Sequence, residues 1–254
     1  MKNKVLQISM WIAAGALILL SMGFVNTKVD RILCAGVNMD IDFSTGYEFV
    51  SIDDLHEIVY NQNDSLIARH ISSIDLKDIE NKVKKHPYVD EVNAYFEIDG
   101  ELNIEVTQKS PVMRIIPARG EGYYLDEDTL KLPLSRYYTA RVIVANGFIP
   151  ERIGYEVDTA EHELTKDLFA MANFINQDKF WKSQITQIYV DQQEEIWLIP
   201  RVGFHKILVG DAHDLERKFK NLRIFYKEGL NKIGWNNYDT NNLKFKNQIV
   251  CTKN

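Results

Sequence analysis

The sequence predicts an α+β protein: one amino-terminal membrane-spanning helix, a small unit ordered strand, helix, helix, strand, strand, and a mixed α/β domain whose mostly antiparallel sheet ends in a carboxy-terminal strand. Three observations carry this reading. Residues 5–25 contain no charge. Between Asp75 and Pro111 a short amphipathic helix stops at His86-Pro87 and gives way to two alternating segments around a glycine turn. Beyond Pro111, further alternating segments are interrupted by two helical stripes.

The first segment has the length of a membrane span. At helical rise its 21 residues cover about 30 Å, the hydrocarbon thickness of a bilayer. Residues 1–27 are therefore expected to be a short cytoplasmic tail and a transmembrane helix. Lys2, Lys4 and Ser21-Met22-Gly23 also fit a cleaved signal peptide, but the apolar run exceeds the usual hydrophobic region of roughly 7 to 15 residues. Flanking charge does not set orientation, because Lys2 and Lys4 are balanced by Lys28 and Arg31. With four residues ahead of the run, the folded mass is expected on the non-cytoplasmic side. Ala13-Ala14-Gly15-Ala16 suits close helix packing in a membrane and is equally ordinary span composition.

The next unit is expected over residues 28–111. Asp30 to Phe43 reads as a strand through Ile32, Cys34, Val37, Met39 and Ile41, with an irregularity at Ala35-Gly36. Ser51-Ile52-Asp53-Asp54 is a helix start, and Leu55, Ile58 and Val59 form its apolar face. Residues 61–74 link this helix to the next with turn chemistry. Leu76, Ile79 and Val83 then recur at helical spacing behind an Asp75 cap, whose carboxylate can accept from first-turn amides. Pro87 lacks an amide donor and biases His86 away from helical angles, so the chain turns there.

Val92, Ala94, Phe96 and Ile98 next alternate with Asn93, Tyr95, Glu97 and Asp99, and Leu102, Ile104 and Val106 alternate likewise. A two-residue loop would set Phe96 against Asn103 and mix the faces. A three-residue loop of Ile98, Asp99 and Gly100 instead places Phe96 across from Leu102, Ala94 from Ile104 and Val92 from Val106. Lys109-Ser110-Pro111 ends the second strand.

The remainder, 112–254, is expected to form the second domain. Residues 141–147, 184–190 and 195–199 read as strands, with 204–210 as hairpin partner of the last. Leu164, Leu168, Met171, Ala172 and Ile175 make one helical stripe, and Leu215, Phe219, Leu222, Tyr226 and Leu230 another. The second helix carries Arg217, Lys218, Lys220, Arg223 and Lys227, a basic face read as solvated surface or as a patch for anionic lipid or a partner. At the chain's end Leu243, Phe245, Asn247 and Ile249 alternate with Lys244, Lys246, Gln248 and Val250, which predicts a terminal strand.

Composition narrows the function. A hydrophobic content of 45% supports real cores, and a net charge of −6 without a basic stripe argues against nucleic-acid binding. Cys34 and Cys251 read as partly buried thiols or as a bridge between the first and last strands. The six histidines are scattered, with no metal-ligand spacing, and no cofactor is expected. No Gly-x-Ser-x-Gly elbow, phosphate loop or paired zinc-protease histidine occurs. Asp126-Glu127-Asp128 lacks the further ligands of a calcium loop and reads as a turn. Catalysis is not expected.

Residues 32–111 resemble a polypeptide-transport-associated (POTRA) domain, and the whole chain is similar to the bacterial cell-division FtsQ (DivIB) family, in its Bacteroidetes form. The resemblance rests on His86-Pro87-Tyr88-Val89, on residues 98–104 through the hairpin, and on Gln108-Lys109-Ser110-Pro111-Val112-Met113-Arg114-Ile115. It continues through Gly122-Tyr123-Tyr124-Leu125-Asp126, Leu132-Pro133-Leu134-Ser135 and Tyr138-Thr139-Ala140-Arg141-Val142. Two departures stand out: the inter-helix link Ser65-Leu66-Ile67-Ala68-Arg69 lacks the family's glycine, and Lys109 stands where arginine is common.

The resemblance implies a non-enzymatic, single-pass scaffold in the cytoplasmic (inner) membrane at the division septum, with its bulk in the periplasm. It implies FtsB-like and FtsL-like single-span coiled-coil partners linked to septal peptidoglycan synthesis enzymes. It also places Leu243, Lys244, Phe245, Lys246, Asn247, Gln248, Ile249 and Val250 at a sheet edge where a partner segment adds as an extra strand. Lys244 and Lys246 also fit charges that protect an edge from aggregation. Two other readings are a POTRA-bearing outer-membrane assembly or secretion factor and a secreted binding protein released by signal cleavage.

Overall fold

The computed structural model describes residues 10–11, 14–17, 32–60, 65–154 and 158–253. The expected membrane span lies mostly outside the described residues; Met10, Trp11 and 14–17 are helical. Among the described residues no helix is long and apolar enough to cross a membrane. The chain divides into two compact units, the second beginning at Lys109.

The first unit runs β1 (Gly36–Ile41), α1 (Ile52–Val59), a short 3-10 turn (Ile71–Ser73), α2 (Leu76–Lys84), β2 (Val89–Phe96) and β3 (Glu101–Gln108). Ser51 and Asp54 form a reciprocal capping box at α1: the Asp54 amide donates to Ser51 Oγ at 3.1 Å and the Ser51 amide to Asp54 Oδ2 at 2.9 Å. Asp75 caps α2 by accepting from the Asp78 amide. The sheet order is β1-β3-β2, with β1 parallel and β2 antiparallel to the central β3.

The hairpin has the expected register, Phe96 opposite Leu102, Ala94 opposite Ile104 and Val92 opposite Val106. Gly100 takes φ +91, and an added Cβ would lie 2.5 Å from the Leu33 carbonyl oxygen, so both conformation and space demand glycine. Ile98 lies in the three-residue loop, as the register requires, and not on the apolar face that its place in the alternation would continue. It sits at the loop tip, 98% exposed, because the three-residue loop that sets the register removes it from the strand. The expected first strand is also shorter: ahead of β1, Cys34 and Ala35 donate their amides to Arg69 and Gly100 instead of continuing the β3 ladder.

Gln108 closes the unit. Its Oε1 accepts from the Phe49 and Val50 amides, and its Nε2 donates to the Asp42 and Tyr47 carbonyls. A buried polar side chain is tolerated when its bonds are made, and here they pin the loop between β1 and α1.

The second unit contains β4 (Pro111–Pro117), β5 (Tyr123–Asp126), β6 (Lys131–Pro133), β7 (Ile143–Gly147), α3 (Glu163–Gln177), α4 (Lys179–Gln184), β8 (Ile185–Val190), β9 (Ile196–Pro200), β10 (Lys206–Gly210), α5 (Leu215–Ile224), β11 (Thr240–Asn242) and β12 (Val250–Thr252). A π-helical stretch (Phe225–Leu230) and a final short helical piece (Asn231–Ile233) extend α5. The nine strands form one sheet, ordered β12-β11-β10-β9-β8-β7-β4-β5-β6. Five of its eight ladders are antiparallel, those of β7 with β4 and β8 and of β10 with β11 being parallel. The expected apolar stripes of α3 and α5 meet strand residues such as Met113, Ile115, Ile188 and Leu198, together with Trp181 of α4, in a single core.

The terminal strand expected over 243–250 is corrected by the structure. Only Val250 of that run is in a strand; 243–249 is the connection between β11 and β12. The Asn242 side chain accepts from the Lys244 amide at 2.9 Å, turning the chain. Arg217 then takes the carbonyls of Phe245 and Lys246, at 3.3 and 2.9 Å, so these groups are not offered to a ladder.

Candidate functional site

A sheet that does not close ends twice, and each end exposes main-chain donors and acceptors. At one end of the larger sheet lies β6. The Lys131 amide donates to Asp158 at 2.8 Å, the Ala160 amide to Thr129 at 2.9 Å, and Leu130 bridges Thr159. The 158–160 segment thus covers this margin, and Pro133 has no donor to offer.

Lys131 fastens the cover. Its ammonium, 4% exposed, lies 3.2 Å from Glu151 and 3.0 Å from Asp158. Burial alone would lower its pKa, but hydrogen bonds and charge from those two carboxylates outweigh it and hold Lys131 above its ordinary value.

At the other end lies β12. It pairs with β11 on one side, Thr240 opposite Thr252, Asn241 opposite Cys251 and Asn242 opposite Val250. On its other side no strand of the described residues pairs with it. Thr252 is exposed, and Val250 and Cys251 are half-buried. Burial raises the Cys251 pKa, which keeps the side chain a neutral thiol. Both cysteines are free.

Local chemistry holds this edge in place. Leu243 is 2% exposed, joins the core and donates its amide to Leu208 at 2.8 Å. Lys244 reaches Glu195, next to β9. Arg217 Nε binds Asp214 at 2.9 Å while its Nη1 holds the loop carbonyls. Of the expected binding residues, Lys244 through Gln248 are exposed in the loop, Ile249 and Val250 lead into β12, and Leu243 is core. Cys251 and Thr252, which complete the bare strand, were outside the sequence reading. The signal available was the Val250-Cys251-Thr252 triplet itself, rich in β-forming residues but too short to stand out.

The basic face of α5 is largely spent inside the molecule: Arg217 pairs with Asp214, Lys218 with Asp211 and Arg223 with Asp178. In the first unit the margin of β2 is partly occupied, since the Ala94 amide donates to Glu80 of α2 at 3.0 Å. The outer side of β1 meets no strand among the described residues.

A three-stranded unit with two helices is followed by a mixed sheet with one covered margin and one margin that no strand of the described residues covers. Residues 32–107 match the model of a POTRA-like domain. Residues 110–252 match the model described as FtsQ/DivIB, C-terminal related. The chain belongs to the FtsQ/DivIB family of cell-division proteins, division-site membrane proteins that serve as scaffolds. No individual curated protein matches it.

Proposed function

We propose that the protein is a single-pass scaffold of the septal division machinery that recruits FtsB-like and FtsL-like coiled-coil proteins by strand addition along β12. Through them it is linked to septal peptidoglycan synthesis enzymes. The anchor is the 5–25 run, and both folded units stand on the periplasmic side of the cytoplasmic membrane. The observation that carries the reading is the contrast between the two margins of the larger sheet. The molecule's own chain and a buried lysine close β6, whereas β12 has a free flank. An extended peptide laid there gains main-chain hydrogen bonds, and the exposed side chains of 244–248, which precede β12 in the chain, are the proposed source of selection. No bond is made or broken.

Co-purification from membranes tests the proposal with single proline substitutions at Val250, Cys251 and Thr252. Successive residues of a strand aim their amides to opposite sides. One phase of the scan therefore removes donors from the free side, and the other breaks the ladder to β11. The expected result is loss of coiled-coil partner capture in the free-side phase with unchanged thermal stability. Capture that survives all three prolines, or that is lost instead with Met39→Pro at the β1 margin, refutes recruitment through β12.

A further inference from the structure

A second concave site lies on the larger unit, at the end of the sheet where β7 and β8 begin and β9 stops. It is a cleft of ≈ 280 Å³ whose rim carries Arg141, Lys182 and Arg201. Ile143, Ile175 and Ile185 also line it, and no carboxylate does. In sheet order it is separated from β12 by β10 and β11.

What distinguishes the three cations is that they line one cleft without a carboxylate among them. The protein carries net charge −6, and of the cations on α5 Arg217, Lys218 and Arg223 are matched to carboxylates. None of Arg141, Lys182 and Arg201 is ion-paired with a described residue. Arg141, Lys182 and Arg201 are all exposed, so water and salt screen their mutual repulsion, and the attraction of an anion to the cleft is strongest at low ionic strength.

Arg201 is also positioned in advance. Its backbone amide donates to Gln184 at 2.6 Å and its Nε to the Ser183 carbonyl at 2.9 Å. The stem is thereby held and both terminal nitrogens make no bond to a described residue, an arrangement that suits bidentate capture of an oxyanion. A single carboxylate would neutralise one of the three charges. A phosphoryl group brings two or more and is compact enough for the cleft.

We propose that Arg141, Lys182 and Arg201 form a binding site for a phosphate or diphosphate group, either free or as the head of an amphiphile whose first carbons rest on the isoleucines. The full-length protein is titrated calorimetrically with inorganic pyrophosphate at low ionic strength, and separately with phosphatidylcholine vesicles with and without phosphatidic acid.

Saturable binding of pyrophosphate that is weakened about tenfold or more by Arg201→Gln, and likewise by Arg141→Gln, supports the site with a free ligand. Arg141 makes no described bond, so its variant separates ligand loss from misfolding. The same sensitivity seen only with phosphatidic acid vesicles supports the site with a lipid headgroup. Lys220→Gln with Lys227→Gln, which removes two charges from α5, should leave either titration unchanged. Absence of binding to both probes, equal weakening by the α5 control, or binding of an acidic peptide in place of either probe overturns the proposal.

Discussion

Replacing Arg217 by alanine should loosen the β11–β12 hairpin while sparing the rest of the larger unit. One guanidinium holds three acceptors: Asp214 at 2.9 Å through Nε, and through Nη1 the carbonyls of Lys246 at 2.9 Å and Phe245 at 3.3 Å. A hydrogen bond from a charged donor contributes about 1.5–3 kcal/mol. The side chain is 27% exposed and Asp214 61%, so the ion pair itself adds little, at most about 1 kcal/mol. The longer bond to Phe245 is weak, and Asn221 Nδ2, 3.4 Å from the Lys246 carbonyl, retains part of the hold. These terms leave about 1.5–2 kcal/mol of local stability lost, which accelerates opening about 10- to 30-fold.

Hydrogen exchange followed by mass spectrometry reads this directly, as faster exchange in peptides covering 240–252 with unchanged exchange in β7 to β9. Partner capture should fall in parallel, because a strand that is open part of the time templates less well. Unchanged exchange across 240–252 would refute the claim that Arg217 holds the edge. A uniform rise across the whole unit would show that its role is global.

In the first unit, Gly100→Ala should cost about 1–3 kcal/mol from backbone strain alone, with the Leu33 clash in addition, and hydrogen exchange across β2 and β3 should rise while β7 to β9 are unaffected. Lys131→Ala should cost about 3–5 kcal/mol because it leaves Glu151 buried without its partner; differential scanning calorimetry should show the loss, and Lys131→Met with Glu151→Gln should recover most of it. Asp178 gives a pH dependence. Burial pushes its carboxyl up, but the Arg223 hydrogen bond, the Trp181 and Phe180 amides and the Arg223 charge outweigh this and hold it below the ordinary carboxylate value. The unfolded chain then binds the proton first as acid is added, so this contribution is present above the ordinary pKa and disappears as pH falls through the lower folded value. Melting curves from roughly pH 5 to 3 should steepen relative to Asp178→Asn.

Local chemistry made the first unit legible. The faces of 92–98 and 102–106 fixed the loop length and therefore the register, because one residue of slip would invert every side chain. The caps at Ser51 and Asp75 are likewise contained within four residues of sequence. In the larger unit β4 and α4 were not among the expected elements, although Met113 and Ile115 alternate with Arg114 and Asp178 caps α4 through the Phe180 and Trp181 amides; both elements are short and give a weak periodic signal.

The terminal segment could not be read in the same way. The alternation of 243–250 is real, but Arg217, 28 residues away in sequence from Phe245, takes the carbonyls that a ladder would require. The cover over β6 is equally long-range, since it depends on Lys131 meeting Glu151 and Asp158.

The proposed recruitment through β12 has to be consistent with a strand of only three residues. A long bare edge on a protein with a 45% hydrophobic chain would invite pairing between copies. Here the exposed ladder is restricted to Val250–Thr252, too short for two copies to gain much from pairing. Under the proposed strand addition, a partner that continues past β12 would draw selectivity from the exposed loop that precedes it. Neither Lys244 nor Lys246 lies within β12, and Lys244 is drawn toward Glu195, so on the proposed reading neither charge obstructs a partner strand.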